Sequence, residues 1–232
     1  MASSTDNSRK ELNDKDETED AWIILAGATG DLGARIAKSL LGRGAKVRVL
    51  VRNGSSPEKI AALRKQGAEI ALVDFDQVAD LAKACKGGSC VVSALSGLED
   101  VIVDTQTRLL DAALQAEVPR FIPSDFSIDF TKLPYGTNRN LDLRKKFRER
   151  LDQTPIAATS IFNGMFTDLL TGQAPVVLFP IKRILYWGNP EQLMDFTTVE
   201  DTAKFTAAAA LDLNTPRNLC MHPTNYILQF SG

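Results

Sequence analysis

The chain reads WIILAGATGDLG from Trp22 to Gly33. Five apolar residues lead directly into glycines at positions 27, 30 and 33, and an amphipathic segment follows. Between a strand and a helix, such glycines allow a tight turn, a close approach of backbone to a pyrophosphate, and close packing of the helix. The stretch therefore predicts a dinucleotide-binding turn, the alternative being a turn that serves only as a tight connection. The contacts expected here come from Gly27, Thr29, Gly30, Asp31, Leu32 and Gly33.

Apolar runs typical of strands alternate with helical patterns along the rest of the chain. The strand candidates are residues 22–26, 47–51, 69–73, 90–94, 120–123 and 157–161, and the helix candidates after the glycines include 57–66, 77–84, 101–116, 141–151 and 199–211. Strand and helix alternating at this spacing indicate a parallel sheet with right-handed crossovers and helices on both faces. We predict an α/β fold with a doubly wound parallel sheet.

The end of the second strand indicates which dinucleotide is bound. An NAD site places Asp or Glu there to hold the ribose hydroxyls, whereas this chain has Arg52. A guanidinium pairs with the 2′-phosphate of NADP, which a carboxylate would repel. Lys59 and the hydroxyl of Ser55 are candidates for further contacts, so NADP(H) is the expected cofactor. Alternatively, Arg52 is a solvated strand end.

Asp74 follows the third predicted strand. It lies where an adenine pocket would be closed, but it is equally suited to cap the helix that begins near residue 76. The sequence leaves both roles open.

Composition sets the broad class of protein. The 232 residues are 44% hydrophobic and carry a formal net charge of -2, which argues against a nucleic-acid partner because phosphate backbones require a basic surface. Residues 1–20 are rich in Ser, Asp and Glu and predict a disordered acidic tail. Neither a secretory signal nor a membrane-spanning run is evident. We expect a cytoplasmic protein with a Rossmann domain at 21–162 and a reduced C-terminal substrate region at 163–232.

Metal and cysteine chemistry are not expected. The single histidine, His222, rules out a multi-histidine site, and the three cysteines lack metal-ligand spacing. We therefore predict reduced thiols and no metal.

Four segments together resemble one group of enzymes. They are the glycine turn, Arg52, the stretch RFIPSDF at 120–126 and the stretch NGMF at 163–166. The chain thus resembles the NmrA-like and isoflavone-reductase-like atypical short-chain dehydrogenases. The resemblance implies a Rossmann fold, NADP(H) and, in catalytic members, hydride transfer to a small carbonyl or alkene substrate.

The resemblance also implies roles for individual residues. Residues like Ser124, Phe126 and Asn163 line the nicotinamide side, and a lysine in the following helix acts as general acid and base. Arg144 stands at that lysine's position, with Lys145 next to it. Arginine polarises an oxygen but is a poor proton shuttle. Tyr135, four residues before an arginine, is a further catalytic candidate, although a Tyr in a Pro-Tyr-Gly sequence is also typical of a turn.

Two functions follow as hypotheses. The first is an NADPH-dependent reductase of a small organic molecule. The second is a non-catalytic NADP(H) sensor that binds a regulatory protein partner, which the missing lysine favours.

Overall fold

The computed structural model describes residues 21–170, 172, 177–185, 194–221 and 227–228. The predicted tail at 1–20 and His222 lie outside the described residues.

Six strands in the first two thirds of the chain build one parallel sheet. The strands are β1 (Trp22–Ala26), β2 (Lys46–Arg52), β3 (Glu69–Val73), β4 (Gly88–Ser93), β5 (Arg120–Ile122) and β6 (Ala157–Ala158). Their order is β3-β2-β1-β4-β5-β6, and every neighbouring pair is parallel. The reversal of order beside β1 creates the crevice in which doubly wound sheets bind ligands. The predicted fold class is confirmed.

Helices cover both faces of this sheet. They are α1 (Asp31–Gly42), α2 (Pro57–Lys65), α3 (Val78–Cys85), α4 (Gln106–Gln115), α5 (Arg139–Leu151) and α6 (Val199–Leu211). Side chains of α1 and α6 share one apolar cluster with the sheet, where the small residues Ala203 and Ala207 pack with Ile36 and Leu40. Side chains of α3, α4 and α5 share a second cluster with the other face, which includes Leu81, Leu109 and Phe147. The sheet is thus buried between two layers, as its apolar strands require.

The second half of the chain adds short strands. They are β7 (Ser160–Phe162), β8 (Met165–Phe166), β9 (Val177–Leu178), β10 (Arg183–Ile184), β11 (Met194–Thr197), β12 (Asn218–Cys220) and β13 (Ile227–Leu228). β7 pairs with β12 and β8 with β11, both in parallel. The Thr159 N–H still donates to Phe121 of β5 (3.0 Å), whereas the Ser160 N–H donates to Arg217 (2.8 Å). One continuous segment, predicted as a single strand, therefore connects the main sheet to β12.

The helix predicted at 101–116 begins with a wider turn. Residues Asp100–Thr105 form a π-helical turn, and regular α-helix starts at Gln106. The Thr105 hydroxyl donates to the Asp100 carbonyl, and the Gln106 side chain donates to the Ile102 carbonyl, each at 2.9 Å. These side chains occupy carbonyls that a regular helix would pair with backbone N–H groups, which accounts for the local change.

Candidate functional site

A cavity of about 500 Å³ lies at the carboxyl ends of β1, β2, β3 and β4. It therefore occupies the crevice expected for a ligand in a doubly wound sheet. Its lining includes Gly27, Thr29, Gly30, Arg52, Asn53, Ser55, Asp74, Phe75, Asp76, Leu95, Asp100, Val101 and Thr105.

The three glycines of the first turn have distinct geometric roles. Gly27 has φ +87°, and a Cβ there would lie 2.4 Å from the Ala94 carbonyl oxygen. A Cβ on Gly33 would lie 2.2 Å from the Gly27 carbonyl oxygen, so these two glycines hold the turn against β4 and α1. A Cβ on Gly30 meets only the Gly27 oxygen, at 3.3 Å. At Gly27 and Gly33 the missing side chain allows close backbone packing, whereas at Gly30 it leaves the cavity open.

The amino end of α1 faces this turn. Gly30 precedes the helix, and no side chain caps it. The N–H groups of the first turn thus remain available to an anion, which the helix dipole also favours. Asp31 pairs with Arg35 at 2.9 Å on the exposed surface, whereas Leu32 packs against the core. Both positions support the turn rather than line the cavity.

Arg52 lies where β2 ends and lines the cavity. Its side chain makes no hydrogen bond or ion pair with any described residue, and it is exposed. Ser55 lines the cavity as well, whereas Ser56 caps α2 by accepting from the Lys59 N–H at 3.3 Å. Lys59 extends its ammonium to the Thr29 carbonyl at 2.8 Å, which ties α2 to the glycine turn. Two basic groups thus lie beside the turn.

Asp74 lines the cavity, and its Oδ1 accepts from the Asp76 N–H at 2.9 Å, which forms a local turn. It does not cap the following helix, because Gln77 holds the N-cap position and no side chain among the described residues bonds there. The following helix begins at Val78, two residues later than the position considered for that cap. The cavity lining thus includes three aspartates, Asp74, Asp76 and Asp100, together with the oppositely charged Arg52.

Ser124, Phe126 and Asn163 are buried and do not belong to the lining of this cavity. The Ser124 hydroxyl donates to the Leu95 carbonyl at 2.6 Å. The Asn163 amide donates to the Thr197 hydroxyl at 3.0 Å, while its Oδ1 has no hydrogen-bond partner among the described residues. Phe126 is 8% exposed. The residues assigned to the nicotinamide side therefore lie in the interior beside the cavity, where two of them link strand ends.

Gln106 is a residue that the sequence analysis missed. Its buried side chain donates to the Ile102 carbonyl and accepts from the Ser124 N–H at 2.8 Å. Because Ser124 in turn bonds Leu95 at the cavity wall, these contacts connect the π-helical turn to the end of β5. A glutamine within the apolar stripe of a helix is the signal that would have indicated such a link.

Arg144 faces the protein interior. Its Nη1 donates to the Asn140 carbonyl at 2.9 Å, and its buried Nε bonds to none of the described residues. Burial lowers the pKa of the Arg144 guanidinium, whereas the charge of Asp125 raises it. Asp125 is fully buried: one carboxylate oxygen accepts from the Ser160 hydroxyl at 2.7 Å, and the other has no partner in the part of the chain that the structure describes.

Burial raises the pKa of Asp125 to about 6, although the Ser160 hydrogen bond and the Arg144 and Arg217 charges oppose that rise. A half-buried cation and a fully buried carboxylate thus lie within electrostatic range of each other.

Lys145 and Tyr135 form a separate group on the outer side of α5. The Lys145 ammonium donates to the Leu133 carbonyl and lies 5.0 Å from the centre of the Tyr135 ring. The Tyr135 hydroxyl donates to Glu149 at 2.6 Å, which raises the pKa of Tyr135 to about 12. Neither residue lines the cavity, and Tyr135 is 56% exposed. The three catalytic candidates are therefore not brought together at the cavity.

The polar residues 137–140, at the start of α5, include a helix cap. Asn138 caps that helix, because its side-chain oxygen accepts from the Asn140 N–H at 2.9 Å and the Leu141 N–H at 3.3 Å. Within the described ranges, no cluster of three His, Cys, Asp or Glu side chains is arranged to hold a metal. Among those same residues, every helix is too short or too polar to span a bilayer.

Proteins of known activity resemble this chain over most of its length. Pinoresinol reductase 1 from Arabidopsis thaliana is 30% identical over 225 residues, covering 90% of this chain and 69% of the relative. The bifunctional pinoresinol-lariciresinol reductase 1 from Linum usitatissimum is 27% identical over 222 residues, covering 86% and 71%.

Solved structures share the fold. AtPrR2 with NADP+ and (+)pinoresinol superimposes with a TM-score of 0.78 at 24% identity, covering 91% of this chain and 72% of that one. An isoflavone reductase gives 0.77 at 22% identity, covering 90% and 72%. The model of the NmrA-like family matches residues 19–231. The resemblance inferred from the glycine turn, Arg52 and the two later motifs is therefore confirmed, and the chain belongs to the NmrA-like family.

Proposed function

We propose that this protein binds NADP(H) in the cavity at the glycine turn and acts as an NADPH-dependent reductase. The observation that carries the proposal is the exposed Arg52, which has no partner among the described residues and lines the same cavity as the open Gly30. A cation without a carboxylate partner suits the 2′-phosphate that distinguishes NADP(H) from NAD(H).

The residues present fit this cofactor. The uncapped start of α1 supplies N–H donors to a pyrophosphate, and Gly30 leaves the space for it. Arg52 holds the 2′-phosphate, with Ser55 beside it as a hydroxyl donor. The Lys59 ammonium, which donates to the Thr29 carbonyl, adds positive charge beside the glycine turn. The structures of related folds with NADP+ or NADPH bound support the same assignment.

The reductase activity is proposed on two grounds. Curated relatives at 27–30% identity are named as reductases of the small organic molecules pinoresinol and lariciresinol. The bound cofactor supplies the hydride, and the chain has to orient the substrate and polarise its carbonyl or alkene. Arg144, a cation at the expected position in α5, is the candidate for polarising an oxygen. Residues 163–232 are the candidate substrate region.

A titration of the purified protein with NADPH and NADH tests cofactor binding. Tight binding of NADPH with much weaker binding of NADH is expected, because only NADPH carries the 2′-phosphate. A panel of aromatic carbonyl and alkene compounds, followed by NADPH consumption, then tests the reductase activity. Equal affinity for both dinucleotides would contradict the role of Arg52, and NADPH binding without consumption would contradict reduction of the compounds in the panel.

One observation favours a second function, that of a non-catalytic NADP(H) sensor with a protein partner. The proton-donor candidates in the described residues are bonded elsewhere: Lys145 to the Leu133 carbonyl and Tyr135 to Glu149. Arg144 stays protonated and does not shuttle protons. A sensor needs only the cofactor cavity.

The substitution Arg144→Lys distinguishes the reductase from the sensor. In a reductase that lacks only an efficient proton donor, Arg144→Lys restores an ionisable amine and is expected to raise turnover by about 100-fold or more. In a sensor, the same variant still shows no turnover while it binds NADPH. Arg148→Lys on the same helix is the matched control, because Arg148 pairs with Asp152 and Asn218 instead.

A further inference from the structure

Arg108 connects two walls of the cofactor cavity without lining the cavity itself. Its Nε donates to the Phe75 carbonyl at 2.9 Å. Its Nη2 donates to Asp76 Oδ1 at 2.8 Å and to the Thr105 hydroxyl at 3.2 Å. Phe75 and Asp76 follow β3, Thr105 ends the π-helical turn, and all three belong to the cavity lining. One guanidinium therefore spans two segments that are 30 residues apart in sequence.

The bridge continues along the cavity wall. The Thr105 hydroxyl that accepts from Arg108 itself donates to the Asp100 carbonyl at 2.9 Å, and Asp100 also lines the cavity. A planar guanidinium reaches several acceptors in a fixed geometry, which a lysine ammonium on a flexible stem does not. The ion pair with the exposed Asp76 contributes little by itself, so the effect of Arg108 lies in holding backbone positions.

One of the two bridged segments, the one that follows β3, lies next to Arg52. Arg52 pairs with Val73 in the sheet, so the segment from Asp74 to Asp76 continues directly beside the end of β2. This is the half of the cavity that the proposed function gives to the adenosine and its 2′-phosphate.

We propose that Arg108 is a positioning residue for the adenosine half of the dinucleotide, an inference that rests on the proposed NADP(H) binding. By fixing the separation between the segment at Phe75 and Asp76 and the π-helical turn at Thr105, it holds that part of the cavity open and ordered before the ligand arrives. Preorganisation of this kind raises affinity because less order has to be created on binding.

Binding measurements on variants of the full chain test the inference. The probes are NADPH and 2′,5′-ADP, which carries only the adenosine half. Arg108→Met is expected to weaken both by the same factor, about tenfold, because the loss concerns the half that the two probes share. Arg108→Lys keeps the positive charge but not the planar guanidinium that reaches several acceptors, so an intermediate loss of affinity is expected. Arg150→Met is the matched control, since Arg150 makes an ion pair of 3.0 Å with Asp111 of α4 away from the cavity.

Thermal stability measured on the same samples separates positioning from folding. Unchanged affinity for 2′,5′-ADP in a folded Arg108→Met protein overturns the inference, whether or not the melting temperature falls. A loss for NADPH that 2′,5′-ADP does not show also overturns it, because the effect would then lie in the other half of the cavity. If the unsubstituted chain binds neither probe, the proposed function itself fails and the inference falls with it; wild-type binding with an unaffected variant overturns the inference alone.

Discussion

The cofactor cavity and the outer side of α5 differ in how their polar groups are used. At the cavity, Arg52 has no partner among the described residues and the start of α1 is uncapped. On the outer side of α5, Glu149 accepts from the Tyr135 hydroxyl of the preceding turn, and Lys145 donates to the Leu133 carbonyl. Groups without partners in a concave site have free capacity for a ligand, whereas groups bonded to each other already stabilise the surface that they form. The family's binding function is thus visible in this chain, and its catalytic chemistry is much less so.

The largest effect is expected from Gly30→Leu. The Leu side chain would enter the space left for the pyrophosphate, and affinity for NADPH is expected to fall at least about 1,000-fold, or roughly 4 kcal/mol. The backbone at Gly30 has φ -84°, which any residue adopts, so the fold should be retained. A fluorescence titration measures the affinity, and circular dichroism checks the fold.

Gly42→Ala is the control for this substitution. Gly42 lies in α1 with nothing within 4 Å of its absent Cβ, so this variant should bind NADPH normally and be slightly more stable. If Gly30→Leu bound NADPH like the wild type, the cofactor would not lie on the glycine turn, and the contrast between the two regions would lose its basis.

A smaller effect, on stability rather than binding, is expected at Asp125. An unfolded aspartate has a pKa near 4, whereas burial raises the pKa of Asp125 to about 6. Between about pH 4 and 6 the folded state therefore holds a proton that the unfolded chain has released. Because the folded state binds more protons there, the contribution of Asp125 to the free energy of unfolding falls as the pH rises.

Asp125→Asn removes this titration. The stability of the variant relative to the wild type is expected to increase by up to about 3 kcal/mol from pH 4 to pH 7. Denaturant unfolding at several pH values measures the difference, with the exposed Asp168→Asn as control. A difference that does not change with pH would mean that Asp125 keeps an ordinary pKa and that the interior beside Arg144 is more polar than its burial indicates.

Charge reversal at Arg52 should discriminate between the dinucleotides. Arg52→Asp places a carboxylate against the 2′-phosphate, and a loss of roughly 30-fold in NADPH affinity is expected, about 2 kcal/mol. NADH affinity should change little, because NADH lacks that phosphate. Arg64→Asp, an exposed reversal at the end of α2, controls for the overall change in charge. An equal loss for NADPH and NADH would remove Arg52 from the 2′-phosphate.

The place of the cavity beside the glycine turn and Arg52 was predictable because its signals are local. Glycines at 27, 30 and 33 and Arg52 at a strand end are read from neighbouring residues, and the same short-range pattern predicted the strands and helices. The bond from Ser124 to Leu95 and the bridge of Arg108 join segments distant in sequence, so no periodicity reveals them. For the link through Gln106, the glutamine in the apolar stripe of its helix indicates a buried polar contact but not its partner. The hydrogen bond from Tyr135 to Glu149 also depends on which side of α5 faces the turn around Tyr135, and the sequence does not determine this.

The smallest effect is expected from Tyr135→Phe, which tests the outer side of α5 instead of the cavity. Removing the hydroxyl deletes the hydrogen bond to the exposed Glu149, which should lower the free energy of unfolding by less than about 1 kcal/mol. Affinity for NADPH should be unchanged, because Tyr135 does not line the cavity. Glu149→Gln, which keeps an acceptor for the hydroxyl, should be milder still. If the Tyr135 variant lost turnover at unchanged stability, the outer side of α5 would have to approach the substrate during catalysis, and its polar groups would belong to the reacting site rather than to the surface.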